Sequence, residues 1–145
     1  MRCFAYVRVA SVVAVAACTT PNTAITASGP SGSDVISLDR DFELRPGQTA
    51  RLDETAIAVS FMGVPEDSRC PADVQCVWAG NGAVSLVVTD GTGAKSTVIL
   101  NTTLSPRSAT VSGYEIGFTG LKPDPKQGSP IPLANYVATL RVTRP

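Results

Sequence analysis

The 145-residue chain contains no histidine, and this absence excludes several kinds of active site at once. No Ser-His or Cys-His nucleophile can form, no imidazole can act as a general base, and zinc sites with histidine ligands are excluded. The chain also has no net charge, because twelve basic residues balance twelve acidic ones. No strong electrostatic field therefore favours nucleic acid or a bare membrane surface as a partner.

Long hydrophobic runs are scarce as well. The apolar stretch at residues 9–17 comprises nine residues, whereas a membrane-spanning helix needs about 20. Arg2 and Arg8 precede this stretch and small residues end it. The order of a basic segment, a short apolar core and small residues is typical of a secretory signal, so we predict a signal peptide over residues 1–17.

The end of this segment, Val15-Ala16-Ala17-Cys18, resembles the lipobox of bacterial lipoproteins. In that family the cysteine thiol receives acyl chains such as palmitate, and the signal is cut just before the cysteine. The resemblance implies that Cys18 anchors the protein to a membrane of the cell envelope, since two or more acyl chains anchor stably. The following residue, Thr19 rather than aspartate, favours the outer membrane in a Gram-negative cell. The alternative is an ordinary signal peptide, with Cys18 incidental.

Residues 18–35 are predicted to be the lipidated cysteine and a flexible tether. The segment is rich in threonine, serine, glycine and proline and poor in large aliphatic side chains. Such a composition buries too little apolar surface to offset the entropy lost on ordering. The folded domain is therefore predicted to occupy residues 36–145.

The domain shows the two-residue period of β-strands, with no sustained helical period. Apolar and polar side chains alternate, for example around Phe42 and Leu44, and the pattern recurs near residues 50–52, 57–61, 84–88, 98–100, 114–118 and 136–142. Asp90-Gly91-Thr92-Gly93 indicates a hairpin turn. This alternation is typical of antiparallel sheets with one buried face. We predict an all-β fold of seven or eight strands, a small antiparallel Ig-like β-sandwich, with a small β-barrel as the alternative.

Cys70 and Cys76 are the only cysteines left once the signal is removed and Cys18 is acylated. Export to an oxidising compartment favours a disulfide between them, and Pro71 bends the intervening chain. A redox-active pair would favour the CxxC spacing, whereas this pair has five intervening residues. A zinc site would need four ligands. A structural disulfide loop is predicted, with neither metal nor cofactor.

The stretch around this pair supplies the candidate binding residues Asp67, Arg69, Trp78 and Asn81. Asp67 can accept backbone N–H groups in a turn and can pair with Arg69. Trp78 is expected to begin the next strand. Its indole either packs on the disulfide or forms an exposed aromatic platform for sugar or peptide, and both alternatives stay open. The proline-rich segment 122–133 is predicted to be a loop that joins this surface.

Two runs, Asp-Ser-Arg-Cys-Pro at residues 67–71 and Cys-Val-Trp-Ala-Gly at residues 76–80, resemble a group of small uncharacterised bacterial lipoproteins and secreted β-domain proteins. Two later runs extend the resemblance, Pro106-Arg107-Ser108 and Gly113-Tyr114-Glu115-Ile116, so that it covers roughly residues 42–142. It implies an envelope β-domain with a disulfide loop. It implies no catalytic residue, because no activity is established for that group.

Catalysis would depend on carboxylates, since two of them can carry out glycoside hydrolysis. Asp67, Asp73 and Asp124 flank turns, and no carboxylate lies in an apolar run that would raise its pKa. We therefore expect a monomeric, non-catalytic binding or accessory module of the cell envelope whose partner is a protein, peptide or glycan. A protease-inhibitor-like protein and a carboxylate-based envelope hydrolase are the alternatives.

Overall fold

The computed structural model describes residues 34–52 and 55–145. The predicted signal peptide, the Cys18 anchor and most of the tether lie outside these residues. The described residues include no helix long and apolar enough to cross a membrane. The first strand begins at Asp34, so two residues assigned to the tether from composition lie in a strand.

Nine β-strands and one short 3₁₀-helix make up the described chain. The strands are β1 (Asp34–Ile36), β2 (Asp41–Leu44), β3 (Thr49–Leu52), β4 (Ala58–Asp67), β5 (Gly82–Thr89), β6 (Lys95–Asn101), β7 (Ser108–Val111), β8 (Tyr114–Lys122) and β9 (Val137–Thr143). The 3₁₀-helix, Leu133–Asn135, lies just before β9. The all-β prediction is confirmed for this part of the chain.

The strands form two separate sheets, not a single closed one. One sheet has the order β1-β3-β4-β5-β6 and the other the order β2-β9-β8-β7. The predicted β-sandwich is therefore confirmed. Every pairing between these strands is antiparallel except that of β1 with β3, which is parallel.

The core between the sheets follows from the alternation in the sequence. In β9 the buried positions are Ala138, Leu140 and Val142, and in β5 the side chains of Val84, Leu86 and Val88 are fully buried. Phe61 of β4 and Ile116 of β8 pack into the same cluster. Burial of each large apolar side chain contributes roughly 1.5–3 kcal/mol, so this cluster is the main source of stability.

Two local features shape the ribbon formed by β4, β5 and β6, one at the end far from the disulfide and one on the way towards it. The predicted hairpin is present between β5 and β6, where the Asp90 backbone N–H donates to the carbonyl of Ala94 at 3.0 Å. Strand β4 carries two register shifts against β5, on either side of Gly63. Such bulges accommodate Pro65 within a strand, since proline cannot donate a ladder hydrogen bond. Beyond them, Glu66 and Asp67 continue the strand to the disulfide loop.

Candidate functional site

The disulfide loop extends the ribbon formed by β4 and β5. Cys70 and Cys76 are bonded with an S–S distance of 2.09 Å and a Cα–Cα distance of 5.9 Å, which confirms the predicted bridge. Below the bridge the two arms of the loop stay hydrogen bonded. Ser68 N donates to the Asn81 carbonyl at 2.7 Å, and Cys70 N donates to the Ala79 carbonyl at 2.9 Å. The bridge therefore closes only the tip of a segment that is already paired.

Asp67 and Arg69 form a mostly buried ion pair at the base of this loop. Arg69 Nε donates to Asp67 Oδ1 at 2.8 Å and Nη2 donates to Oδ2 at 2.7 Å. The two side chains are only 10% and 11% exposed, respectively. Arg69 also donates to the carbonyls of Leu121 and Pro123. Its donors are therefore engaged within the fold, and the pair joins β4 to the end of β8 in the opposite sheet.

Tyr136, just before β9, completes this cluster by donating its hydroxyl to Asp67 Oδ2 at 2.9 Å. Burial would by itself raise the pKa of Asp67, but the hydrogen bonds from Arg69 and Tyr136 outweigh it and the pKa is lowered. The pKa of Tyr136 is raised, first by burial and then by its bond to the Asp67 carboxylate. Asp67 is therefore held as a carboxylate and Tyr136 as a neutral phenol.

The proline-rich loop docks against the disulfide loop. Ala72 N donates to the Pro125 carbonyl at 2.9 Å, and Gln127 N donates to Asp73 Oδ1 at 2.9 Å. The two segments that interrupt the strand pattern thus form one surface at this end of the sandwich. A depression of about 350 Å³ lies beside the proline-rich loop, and its lining includes Asp67, Pro125 and Tyr136.

Asn81 is the only polar residue that is buried within the described part of the chain, with 5% exposure. Its Nδ2 donates to Asn101 Oδ1 at 2.8 Å, and its Oδ1 accepts the backbone N–H of Thr103 at 3.3 Å. Asn81 therefore fixes the turn that follows β6 onto the disulfide loop. Buried amides are stabilised in this way when each polar atom finds a partner.

Trp78 does not begin the next strand, so that expectation is wrong: β5 starts at Gly82. Its side chain is 82% exposed, which also contradicts the interpretation that the indole packs on the disulfide. Two residues further on, Gly80 lies against the other arm of the loop. It has a φ of +68°, and a Cβ there would overlap the carbonyl oxygen of Ser68. The chain therefore crosses Ser68 at close range before it joins β5.

The exposed indole borders a depression of about 380 Å³ that we call the Trp78 pocket. Its lining is largely apolar because Trp78 lies near Leu104, whose side chain is 58% exposed. The polar side chains that line it are those of Glu66, Ser68, Asn81 and Thr103. Two of the four predicted binding residues, Trp78 and Asn81, meet here, while the other two, Asp67 and Arg69, pair with each other at the base of the loop.

Three important residues were not identified from the sequence, namely Tyr136, Leu104 and Glu66. The sequence places Tyr136 in the final strand pattern, and the carboxylate that it contacts is 69 residues away in the chain. Leu104 stands among polar residues, outside any strand. Single apolar residues on a surface are common, so nothing in the sequence selects Leu104.

The described residues contain no group of three or more His, Cys, Asp or Glu side chains placed to hold a metal ion. Comparison with known proteins adds no functional assignment. No protein-family model matches the chain, and no curated protein or solved structure matches it either.

Proposed function

We propose that this protein is a lipid-anchored module of the bacterial cell envelope that binds a partner non-covalently through the Trp78 pocket. The observation that carries the proposal is the 82% exposure of Trp78 beside Leu104 on a loop closed by a disulfide. Tryptophan is among the residues that most often dominate the energy of protein interfaces. An exposed indole adds no hydrophobic stabilisation to the fold, so its apolar area is available to a partner.

The rigidity of the surrounding loop supports a binding role. The bridge, the Asn81 amide and the Asp67–Arg69 pair all hold the backbone on which Trp78 stands. A surface that is ordered before its partner arrives loses less conformational entropy on binding.

The chemistry of the carboxylates supports binding over turnover. A general acid needs a raised pKa, and the pKa of Asp67 is lowered. Asp67 already accepts hydrogen bonds from Arg69 and Tyr136, while Asp73 accepts one from the backbone of Gln127. Both carboxylates are thus used in holding the loops together.

The envelope assignment rests on the lipobox-like sequence ending at Cys18 and on the disulfide. Disulfides persist in exported proteins and are rare in the cytosol of most bacteria, so the Cys70–Cys76 bridge supports export. Cys18→Ser should release the protein from envelope membranes or leave its signal uncleaved. Wild-type protein that partitions into the aqueous phase of a detergent separation, without acyl mass, would contradict the anchor.

The binding role is tested by chemical cross-linking in envelope membranes, identification of the partner by mass spectrometry and direct measurement with the purified partner. Trp78→Ala should weaken that complex by about 1 kcal/mol or more. Met62→Ala provides the control, because it removes another exposed apolar side chain, 56% exposed, that lies outside the Trp78 pocket. Equal affinities for wild type and Trp78→Ala would contradict the proposal.

A further inference from the structure

Most polar side chains that line the Trp78 pocket are already committed to the fold. Ser68 Oγ accepts the backbone N–H of Asn81 at 3.2 Å, and Thr103 Oγ1 donates to the carbonyl of Gly80. The Asn81 amide is used on both of its polar atoms, as donor to Asn101 and as acceptor from Thr103. These groups have little left to offer a ligand.

Glu66 is the exception. Its side chain is exposed, and the only hydrogen bond found to it in residues 34–52 and 55–145 is a long one of 3.4 Å from Ser68 Oγ. Within the same residues no basic group forms an ion pair with it. A carboxylate can only accept hydrogen bonds. The Glu66 carboxylate therefore favours a ligand that donates hydrogen bonds, and a cationic donor most of all.

We infer that the Trp78 pocket binds a lysine side chain from a basic segment of a partner protein, with the ammonium near Glu66 and the aliphatic stem over Trp78 and Leu104. The inference rests on the proposed binding role and specifies its ligand. Lysine carries four methylene groups that lie along apolar surface while its charge stays in contact with polar atoms. The pocket matches this side chain, because its lining is largely apolar and includes one carboxylate.

The charge at the pocket fits the same ligand. Glu66 is the only charged residue among those that line it. The charge presented to a partner inside the pocket is therefore negative. Tryptophan is also the best aromatic partner for a cation, at about 0.5–1 kcal/mol in exposed sites.

A glycan fits the pocket less well. Sugar recognition needs several directed donors and acceptors beside the aromatic ring, and here the side-chain amide and the threonine hydroxyl are used internally. A sugar placed on Trp78 would leave Glu66 as its main polar contact. The arrangement therefore favours a basic peptide.

Because Trp78 is the only tryptophan in the chain, its fluorescence reports on this pocket directly. The purified protein is titrated with hexalysine, with hexalysine acetylated on every side-chain amine, and with chitohexaose. Hexalysine should give a saturable change with a dissociation constant of about 1 mM or tighter. The acetylated peptide, matched in length but without side-chain charge, should give none, and added salt should weaken the hexalysine response.

Variants then assign the contact, with fluorescein-labelled hexalysine and anisotropy as the readout. Glu66→Gln should weaken binding about threefold, and Trp78→Ala about fivefold. Glu43→Gln is the matched control, since it removes the same charge from an exposed side chain outside the pocket, and it should bind as the wild type does.

Several results would overturn the inference. These are equal binding of the acetylated peptide or of chitohexaose, equal losses in Glu66→Gln and Glu43→Gln, and no saturable response to hexalysine. Binding of the envelope partner to the same variants distinguishes failure of the lysine assignment from failure of the binding role. A partner that depends on Trp78 but is unaffected by Glu66→Gln leaves the binding role intact and removes only the lysine assignment.

Discussion

Asp67 and Arg69 stand two residues apart in the chain, yet their ion pair helps to hold the two sheets together. The guanidinium donates to both carboxylate oxygens and reaches across to the carbonyls of Leu121, at the end of β8, and Pro123. Arginine suits this position because its planar group donates in several fixed directions, which a lysine ammonium cannot reproduce. The orientation of the disulfide loop on the sandwich therefore depends on a contact below the loop itself.

Asp67→Asn should destabilise the protein by about 3 kcal/mol, because it leaves the mostly buried Arg69 without its counter-charge. Urea unfolding followed by circular dichroism measures the change. Asp41→Asn makes the same chemical change in the exposed pair with Arg141, whose side chains are 44% and 48% exposed, and should stay close to wild type. Equal losses in the two variants would show that the Asp67–Arg69 pair has no special structural role.

Stability should fall at both ends of the pH range. The pKa of Asp67 is lower in the folded protein than its ordinary 3.8, so the unfolded chain takes up the proton first. Its stabilising contribution is present above about pH 4 and is lost as the pH falls through the folded pKa. The pKa of Tyr136 is raised above 10.0, so its contribution is present below that pH and is lost as the pH rises through the folded pKa.

The two ends of this profile can be assigned by substitution. Asp67→Asn should make the stability less dependent on pH in the acid range, and Tyr136→Phe should do the same in the alkaline range. Asp90 also has a lowered pKa, from hydrogen bonds donated by Thr92, so some acid dependence should remain in Asp67→Asn. A wild-type acid profile in Asp67→Asn would contradict the assignment.

Local pattern was enough to predict the sandwich, seven of its strands and the disulfide. It missed β1, which has only three residues, DVI, and β7, SATV, which lies at the edge of its sheet and has no fully buried side chain. Their strand character comes from pairing with β3 and β8.

The site was less predictable, because its contacts join residues that are distant in sequence. Arg69 meets Leu121 and Pro123 at separations of 52 and 54 residues. The close approach of Gly80 to Ser68, two residues past Trp78, is likewise specified by no local preference. Sequence thus identified Trp78 as a candidate, but the role of Glu66 as the free acceptor beside it required the structure.

Replacement of both cysteines, Cys70→Ala with Cys76→Ala, should lower the free energy of unfolding by about 2–2.5 kcal/mol, the entropy expected for closing so short a loop. The fold should remain, because the arms below the bridge stay paired through Ser68 and Asn81. Reductant should destabilise the wild type by a similar amount and leave the double variant unaffected. Two free thiols in unreduced wild-type protein would contradict the bridge.

Gly80→Ala should lower the stability of the protein, and Gly113→Ala is the control for the strain that a positive φ alone causes. Gly80 and Gly113 have φ angles of +68° and +80°, so alanine is strained at both positions. Gly113 has nothing within 4 Å of an added Cβ, and Gly113→Ala should therefore cost only about 1 kcal/mol.

At Gly80 the added carbon would also overlap the carbonyl of Ser68, so the backbone must move. Gly80→Ala should cost about 2–4 kcal/mol in urea unfolding. Because Trp78 lies two residues before this crossing, the variant should also shift the fluorescence of Trp78, which Gly113→Ala should leave unchanged. If the two variants are equally stable and Trp78 fluoresces alike in both, the close approach of Gly80 to Ser68 does not position the indole.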